Sequence, residues 1–260
     1  MRIALCQITS TPDKWANLEL VAEAMAKAAA QGAEVVVFPE ATMACFGVPL
    51  GPVAEPLDGP WATQLRELAV RHEVVAMAGM FTPADDDRVR NTMLITCARV
   101  HLGYDKIHLF DAFGFTESRT VAPGKPTVVV EFNGVGLGAA ICYDLRFPGL
   151  FTTLADQGAK VIVLGASWGD GPGKREQWEL LVRARAVDST SWVVACGQAP
   201  PEQPGEGNAP TGVGYSMVAD PFGRVHGQLG ADPDLLVVDI DPAMADEARK
   251  AIPVLANRRF

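Results

Sequence analysis

The sequence predicts an α/β protein built on mixed β-sheets, and three observations carry that reading. Helical and strand signals alternate along the chain, several strands are joined as hairpins, and the aliphatic runs are strand-sized with both faces apolar. The strands are too many for one ordinary open sheet, so two packed sheets with helices outside are expected. A single domain over residues 1–260 is the simplest organisation, because no segment resembles an interdomain linker.

Taken in order, residues 1–8 (MRIALCQI) read as a first strand. Residues 13–31 read as a helix with Leu18, Val21, Met25 and Ala29 on one face and Gly32 available as its C-terminal stop. AEVVVF (33–38) is a buried strand, and residues 58–72 repeat the helical pattern with Pro60 near the start. VVAMAGMF (74–81) and VRNTMLITCARV (89–100) form a hairpin across the polar DDDR turn. TVVVEF and VGLGAAIC are joined by Asn133-Gly134, a strong two-residue hairpin signal. KVIVLGAS, a helix over 175–189, SWVVACG, GYSMVAD and LLVVDID complete the series. Residues 198–214, rich in proline and glycine, form a loop.

Composition excludes several classes. Hydrophobic residues make up 48% of the 260 positions and the mean hydropathy is +0.13, which is incompatible with a disordered chain. No run approaches the roughly 18 apolar residues of a membrane span, and the N-terminus lacks the pattern of a signal peptide. Twenty-two basic against 31 acidic residues give a net charge of −9, so a phosphate backbone would be repelled. A cytoplasmic protein without nucleic-acid or membrane partners is expected. The five cysteines (Cys6, Cys45, Cys97, Cys142, Cys196) are widely spaced with no CxxC pair, which argues against a disulfide framework or a zinc site.

Chemistry in α/β folds gathers at the carboxyl ends of strands. Two such ends stand out, one running into Pro39-Glu40 and the other into Cys142-Tyr143-Asp144. Cys6, Cys97 and Cys196 lie inside apolar strands, and Cys45 follows the FPE turn without an activating neighbour. Cys142 instead breaks from an apolar strand into YDLR, where a strand-to-helix elbow would expose its sulfur. A thiol needs a base or a positive neighbour to act at neutral pH. None of the four histidines sits in a Cys/His signature, which leaves Glu40 as the rival base. Lys106 could stabilise a developing oxyanion, and Glu117 could orient a base or the lysine. Taken singly, Glu40, Lys106 and Glu117 read more readily as surface charges, and Cys142 equally well as a buried inert thiol.

The conjunction is more specific. FPE around Glu40, YDKIHLFD around Lys106 and ICYDLRFP around Cys142 occur in one order, followed by WELLVRARAVD, GYSMVADPFG and IPVLANRRF. Together they resemble the nitrilase superfamily of carbon–nitrogen hydrolases, over essentially the whole chain. That resemblance implies a four-layer α-β-β-α sandwich that forms homodimers. It implies a catalytic triad of Glu40, Lys106 and Cys142, with Glu117, in its Glu117-Ser118 and Pro123-Gly124 context, as an additional pocket glutamate. The Tyr143 backbone N–H would assist at the oxyanion, and no metal or organic cofactor is required.

The CYDLRFP form is similar to the Nit-type subgroup, whose members act on ω-amides of α-keto acids or on deaminated glutathione. The expected partner is therefore a small-molecule amide, and Arg146 is the candidate for its carboxylate, or else a salt-bridge residue supporting the elbow. Arg183 and Arg185 read as structural ion-pair residues. The chain departs from the subgroup at Gly149 and Gln177, and in a Lys106-to-Glu117 connection of only 117 − 106 = 11 positions. An N-carbamoyl amino acid or an aliphatic amide therefore stays open as substrate, as does a catalytically silent scaffold.

Overall fold

Residues 3–6 alternate between two interiors, and this alternation generates the layering. In β1 (Arg2–Gln7) the side chains of Ile3 and Leu5 join a core between two sheets, while Ala4 and Cys6 face a separate core under helices. The computed structural model describes residues 1–202 and 209–259, so residues 203–208 of the proline- and glycine-rich loop lie outside the described residues.

The elements follow in the order α1 (Lys14–Ala30), β2 (Val35–Val37), α2 (Pro60–Arg71), β3 (Val75–Pro83), β4 (Val89–Thr96) and β5 (His101–Asp105). A small hairpin of β6 (Asp111–Ala112) and β7 (Phe115–Thr116) precedes β8 (Val129–Phe132) and β9 (Val135–Ile141). Then come α3 (Pro148–Asp156), β10 (Ala159–Ala166), α4 (Lys174–Ser189), β11 (Trp192–Gly197), β12 (Met217–Ala219), β13 (Val225–Gln228), β14 (Asp234–Asp239), α5 (Ala243–Ala251) and α6 (Val254–Asn257).

One sheet has the order β14-β1-β2-β3-β4-β5 and the other β13-β12-β11-β10-β9-β8. Each is mixed as expected: β1, β2 and β3 run parallel, as do β9, β10 and β11, with antiparallel strands at the flanks. Helices α1 and α2 cover the first sheet through Leu18, Val21, Met25, Trp61 and Leu65, whereas α3 and α4 pack on the second through Phe151, Leu154, Trp178 and Val182. The result is the four-layer α-β-β-α sandwich. On α1 the buried stripe uses Ala28, and Ala29 is only partly buried.

The Asn133-Gly134 hairpin forms, with both residues at positive φ (51° and 78°) as a type I′ turn demands. Among the described residues, seven elements had no sequence forecast: β5, β6, β7, α3, β13, α5 and α6. β5 is an edge strand in which Tyr104 alone is fully buried, so it lacks the alternation that marks a half-buried strand.

The parallel cores bring the carboxyl ends of β2, β9 and β10 to one edge of the sandwich. The antiparallel β3–β4–β5 succession brings the start of β4 and the end of β5 to the same edge. The loop after β2 fits there only because two glycines let it approach. A Cβ on Gly79 would lie 2.6 Å from the Ala41 nitrogen and 2.8 Å from the Glu40 Cα, and one on Gly165 would lie 3.0 Å from the Glu40 nitrogen. The Gly79 backbone instead bonds the loop directly, donating to the Pro39 carbonyl (3.1 Å) and accepting from the Met43 N–H (2.9 Å). Gly79→Ala should therefore cost about 1–3 kcal/mol by forcing the loop away. Urea unfolding should register the loss, with a parallel fall in turnover.

Candidate active site

Glu40, Lys106, Glu117 and Cys142 arrive from four separate segments at one buried cluster. Glu40 follows β2 in a tight turn, with Ala41 at φ 57° and the Thr42 hydroxyl donating to the Pro39 carbonyl (2.6 Å). Lys106 directly follows β5, where its N–H still donates to the Asn91 carbonyl (2.8 Å). Its own carbonyl accepts from the Gly124 N–H (2.8 Å), and a Cβ on Gly124 would lie 2.1 Å from the Asp105 carbonyl oxygen. The Pro123-Gly124 pair thus lets the returning chain lie flat against the lysine segment.

The Lys106 ammonium sits between two carboxylates. Its Nζ donates to Glu40 Oε1 (2.9 Å) and to both Glu117 oxygens (3.1 and 2.9 Å). All three residues are at most 2% exposed. Burial by itself lowers the ammonium's proton affinity, but the charges of Glu117 and Glu40 outweigh it and hold Lys106 well above the ordinary lysine range. Asn91, near the start of β4, is a member that the sequence reading missed. Its Nδ2 donates to Glu40 Oε1 (2.7 Å) and Glu117 Oε1 (3.1 Å), while its Oδ1 is buried without a hydrogen-bond partner among the described residues. An asparagine at the head of the NTMLIT strand, whose run of residues is largely buried, was the available signal.

Glu40 Oε2 accepts the Ser167 N–H at 2.8 Å, and Cys142 Sγ lies 3.8 Å from the Ser167 carbonyl. The end of β10 therefore locks the glutamate on one side and guides the thiol on the other. Cys142 begins a 3₁₀ turn (Cys142–Arg146) with φ 45°, the left-handed conformation of a strained elbow. Burial pushes its thiol well above the usual range, and the Glu40 charge pushes the same way against the opposing pull of Lys106. Both influences favour the protonated thiol over a thiolate. Tyr143 follows at the turn, its ring edge-on to Phe110 and Phe147.

Asp144 holds that elbow. Fully buried, it accepts from the Tyr104 hydroxyl (2.7 Å), the Ile141 N–H (2.9 Å) and the His108 N–H (3.1 Å), and it lies 2.7 Å from His108 Nδ1. Burial and the Asp144 charge push the Tyr104 phenol strongly up, so it stays a donor. The imidazole of His108 stacks on Phe147 with centroids 3.7 Å apart.

The short Lys106–Glu117 connection folds as the β6–β7 hairpin, turning at Phe113-Gly114 with both φ values positive (54° and 81°). Glu117 is fixed by the Phe110 N–H (2.6 Å to Oε2). A narrow cleft opens onto the cluster, walled by Phe46, Phe110, Phe115, Tyr143 and Trp168. Arg146 lines it, with Nη2 donating to Gln177 Oε1 (2.6 Å) and its guanidinium over the Trp168 ring (5.1 Å). It forms no salt bridge among the described residues, so the alternative of an ion pair supporting the elbow is not met. Arg185 pairs with Asp188 and donates to the Leu145 carbonyl (2.8 Å). Arg183 departs from expectation by capping the Gly223 carbonyl (2.8 Å) instead of forming an ion pair, because the turn after β12 packs against α4 there. Cys45 does not line the cleft. Lys174, which does, had no sequence forecast. Among the described residues no His/Cys/Asp/Glu group is arranged to hold a metal ion.

A cleft of this construction, with a thiol, a carboxylate and an ammonium at the strand ends of a four-layer sandwich, has known counterparts. A family model described as carbon–nitrogen hydrolase matches residues 2–250, and the chain belongs to that family. A hydrolase of Mycobacterium tuberculosis (strain H37Rv) is 54% identical over 267 residues, 99% of this chain and 95% of its own. The deaminated glutathione amidase of Escherichia coli O157:H7 is 34% identical over 258 residues, covering 97% of this chain and 94% of that protein. Omega-amidase NIT3 of Saccharomyces cerevisiae is 30% identical over 281 residues, with 100% and 94% covered. The crystal structure of Saccharomyces cerevisiae Nit3, described as a member of branch 10 of the nitrilase superfamily, matches with TM-score 0.87 at 28% identity, covering 100% of this chain and 97% of that one. The chain is thus an amidase-like carbon–nitrogen hydrolase.

Asp144→Asn leaves one amide oxygen to accept what two carboxylate oxygens accept now. It should cost about 1–3 kcal/mol in urea unfolding and slow alkylation of Cys142 by iodoacetamide as the elbow relaxes.

Proposed function

We propose that residues 1–260 act as a single amidase domain that hydrolyses small-molecule amides carrying a carboxylate, by way of a thioester on Cys142. The observation that carries this reading is the division of labour on Glu40. Its Oε1 is held by Lys106 and Asn91, whereas Oε2 has one N–H donor, Ser167, whose own carbonyl lies 3.8 Å from Cys142 Sγ. Oε2 takes the thiol proton as sulfur attacks the amide carbon. The Lys106 ammonium and the Tyr143 backbone N–H stabilise the oxyanion of the tetrahedral adduct. Glu40 then passes the proton to the nitrogen as the C–N bond breaks, releasing ammonia or an amine. Water, deprotonated by the same carboxylate, cleaves the thioester and restores the thiol. Glu117 keeps Lys106 charged and aimed.

Arg146 on the cleft wall favours a substrate with an anionic tail, in keeping with an ω-amidase-like or deaminated-glutathione-amidase-like activity. A reducing, cytoplasmic setting suits the cysteines, none of which is paired among the described residues. A homodimer through α4 is supported by Leu180 (65% exposed), Val187 and Phe222, apolar side chains left uncovered on one outer face. Leu180→Glu combined with Val187→Glu should convert the sedimentation coefficient from that of a dimer to that of a monomer.

Cys142→Ala should abolish ammonia release from a panel of α-ketoglutaramate, deaminated glutathione, an N-carbamoyl amino acid and an aliphatic amide. Retained turnover would remove Cys142 as nucleophile, and an inert wild-type protein with an unreactive thiol would favour the scaffold reading. Glu40→Gln should lower kcat by at least about 10²-fold. The same change removes a negative charge that raises the thiol, so the Cys142 ionisation midpoint, followed by thiolate absorbance against pH, should move down. It stays above that of free cysteine because burial, the larger cause, persists.

A further inference from the structure

The cleft holds a cation that the reaction steps do not use and that lies outside the CYDLRFP segment. Lys174 is the first residue of α4, and its carbonyl accepts the Trp168 indole N–H at 2.9 Å. The ring of the same tryptophan carries the Arg146 guanidinium. Trp168 therefore touches both residues, the Arg146 guanidinium with its ring and the Lys174 backbone with its indole N–H, and all three line the space that contains Cys142. The Lys174 ammonium rests 3.6 Å from the centroid of Phe113 and 5.7 Å from that of Phe110, on the hairpin that shortens the Lys106–Glu117 connection.

The remaining walls are mainly aromatic, and the acidic member of the lining, Glu117, is already bound to Lys106. Among the described residues neither Arg146 nor Lys174 has a carboxylate partner. Burial and the neighbouring Arg146 charge lower the Lys174 ammonium from its ordinary range. An anion between the two would oppose both influences by favouring the charged ammonium. A seat on an aromatic ring holds an ammonium less strongly than a charge-assisted hydrogen bond to a carboxylate does. A flexible lysine stem can exchange the first for the second.

We propose that Lys174 is a specificity-determining residue that joins Arg146 in clamping a substrate carboxylate, so that the enzyme selects half-amides of dicarboxylic acids over neutral amides of the same length. This rests on the amidase reading above. The Phe113 seat keeps the ammonium at the cleft mouth until the carboxylate arrives, and the amide end is then directed inward to Cys142.

Succinamate and butyramide form a matched pair, differing by a carboxylate in place of a methyl group. Ammonia release should give a ratio of kcat/KM for succinamate over butyramide that falls about 10- to 100-fold in Lys174→Met, chiefly through KM for succinamate. Lys174→Arg should restore most of the ratio. A ratio unchanged in Lys174→Met, with turnover intact, overturns the clamp and leaves the amidase reading standing. Calorimetric binding of succinamate to Cys142→Ala protein, with and without Lys174→Met, separates the two ideas. Weaker binding in the double variant upholds the clamp even if the wild type releases no ammonia from either amide. Binding indifferent to Lys174, or absent, overturns it.

Discussion

The arrangement of the site depends on one buried interaction, the Lys106 ammonium held between Glu40 and Glu117. Removing three charges from water costs several kcal/mol per ion, and the cost is met only where geometry and hydrogen bonding are complete. Each partner comes from a different segment: the loop after β2, the end of β5, and the turn after β7. The cluster can therefore close only when the first sheet, its edge strand and the short hairpin are all in register. Asn91 contributes N–H donors to both carboxylates without adding charge, which lets two anions lie near one cation. The fold and the chemistry are in this sense one constraint.

The sandwich meets that constraint by close approach of backbones. Parallel strands in both sheets deliver their carboxyl ends to one edge, but side chains at Gly79, Gly165 or Gly124 would hold the segments apart. Ser167 then ties the second sheet to the first, its N–H on Glu40 and its carbonyl beside the thiol. Because one residue directly after β10 contacts both groups, the two are held in register with the second sheet. Strain at Cys142 is held by Asp144, whose bonds to Tyr104, Ile141 and His108 over-determine the elbow.

Much of this was legible in the sequence, for physical reasons that also mark where legibility ends. AEVVVF and VGLGAAI announce themselves because strands covered on both faces must be continuously apolar, and the polar residue at the end of each is then conspicuous. Glu40 and Cys142 could be named on that ground, and the hairpin at Asn133-Gly134 on its turn chemistry. β5 could not, since an edge strand burying Tyr104 carries no alternation. Asn91 was hidden because its role is defined by two carboxylates distant in sequence. Lys174 was hidden for a similar reason: only the folded β6–β7 hairpin and Trp168 turn a lysine in a glycine-rich stretch into a cleft residue. Arg183 shows the converse, a charge whose partner proved to be a backbone carbonyl.

The charge inventory explains why a raised thiol suits the proposed cycle. Two carboxylates and one ammonium leave the resting cluster with one net negative charge, and a thiolate would add a second in a site with almost no water access. Holding the thiol protonated avoids that state. When the proton moves to Glu40 Oε2, the negative charge leaves the carboxylate as it appears on sulfur and then on the substrate oxygen beside Lys106. The total never changes; only its position does, over a few ångströms. In a low-dielectric pocket a relocation costs far less than a new charge. A substrate carboxylate would upset that balance unless matched, and cations on the opposite wall can match it without touching the proton path. Catalytic and binding charges then share one cleft but act on opposite ends of the substrate.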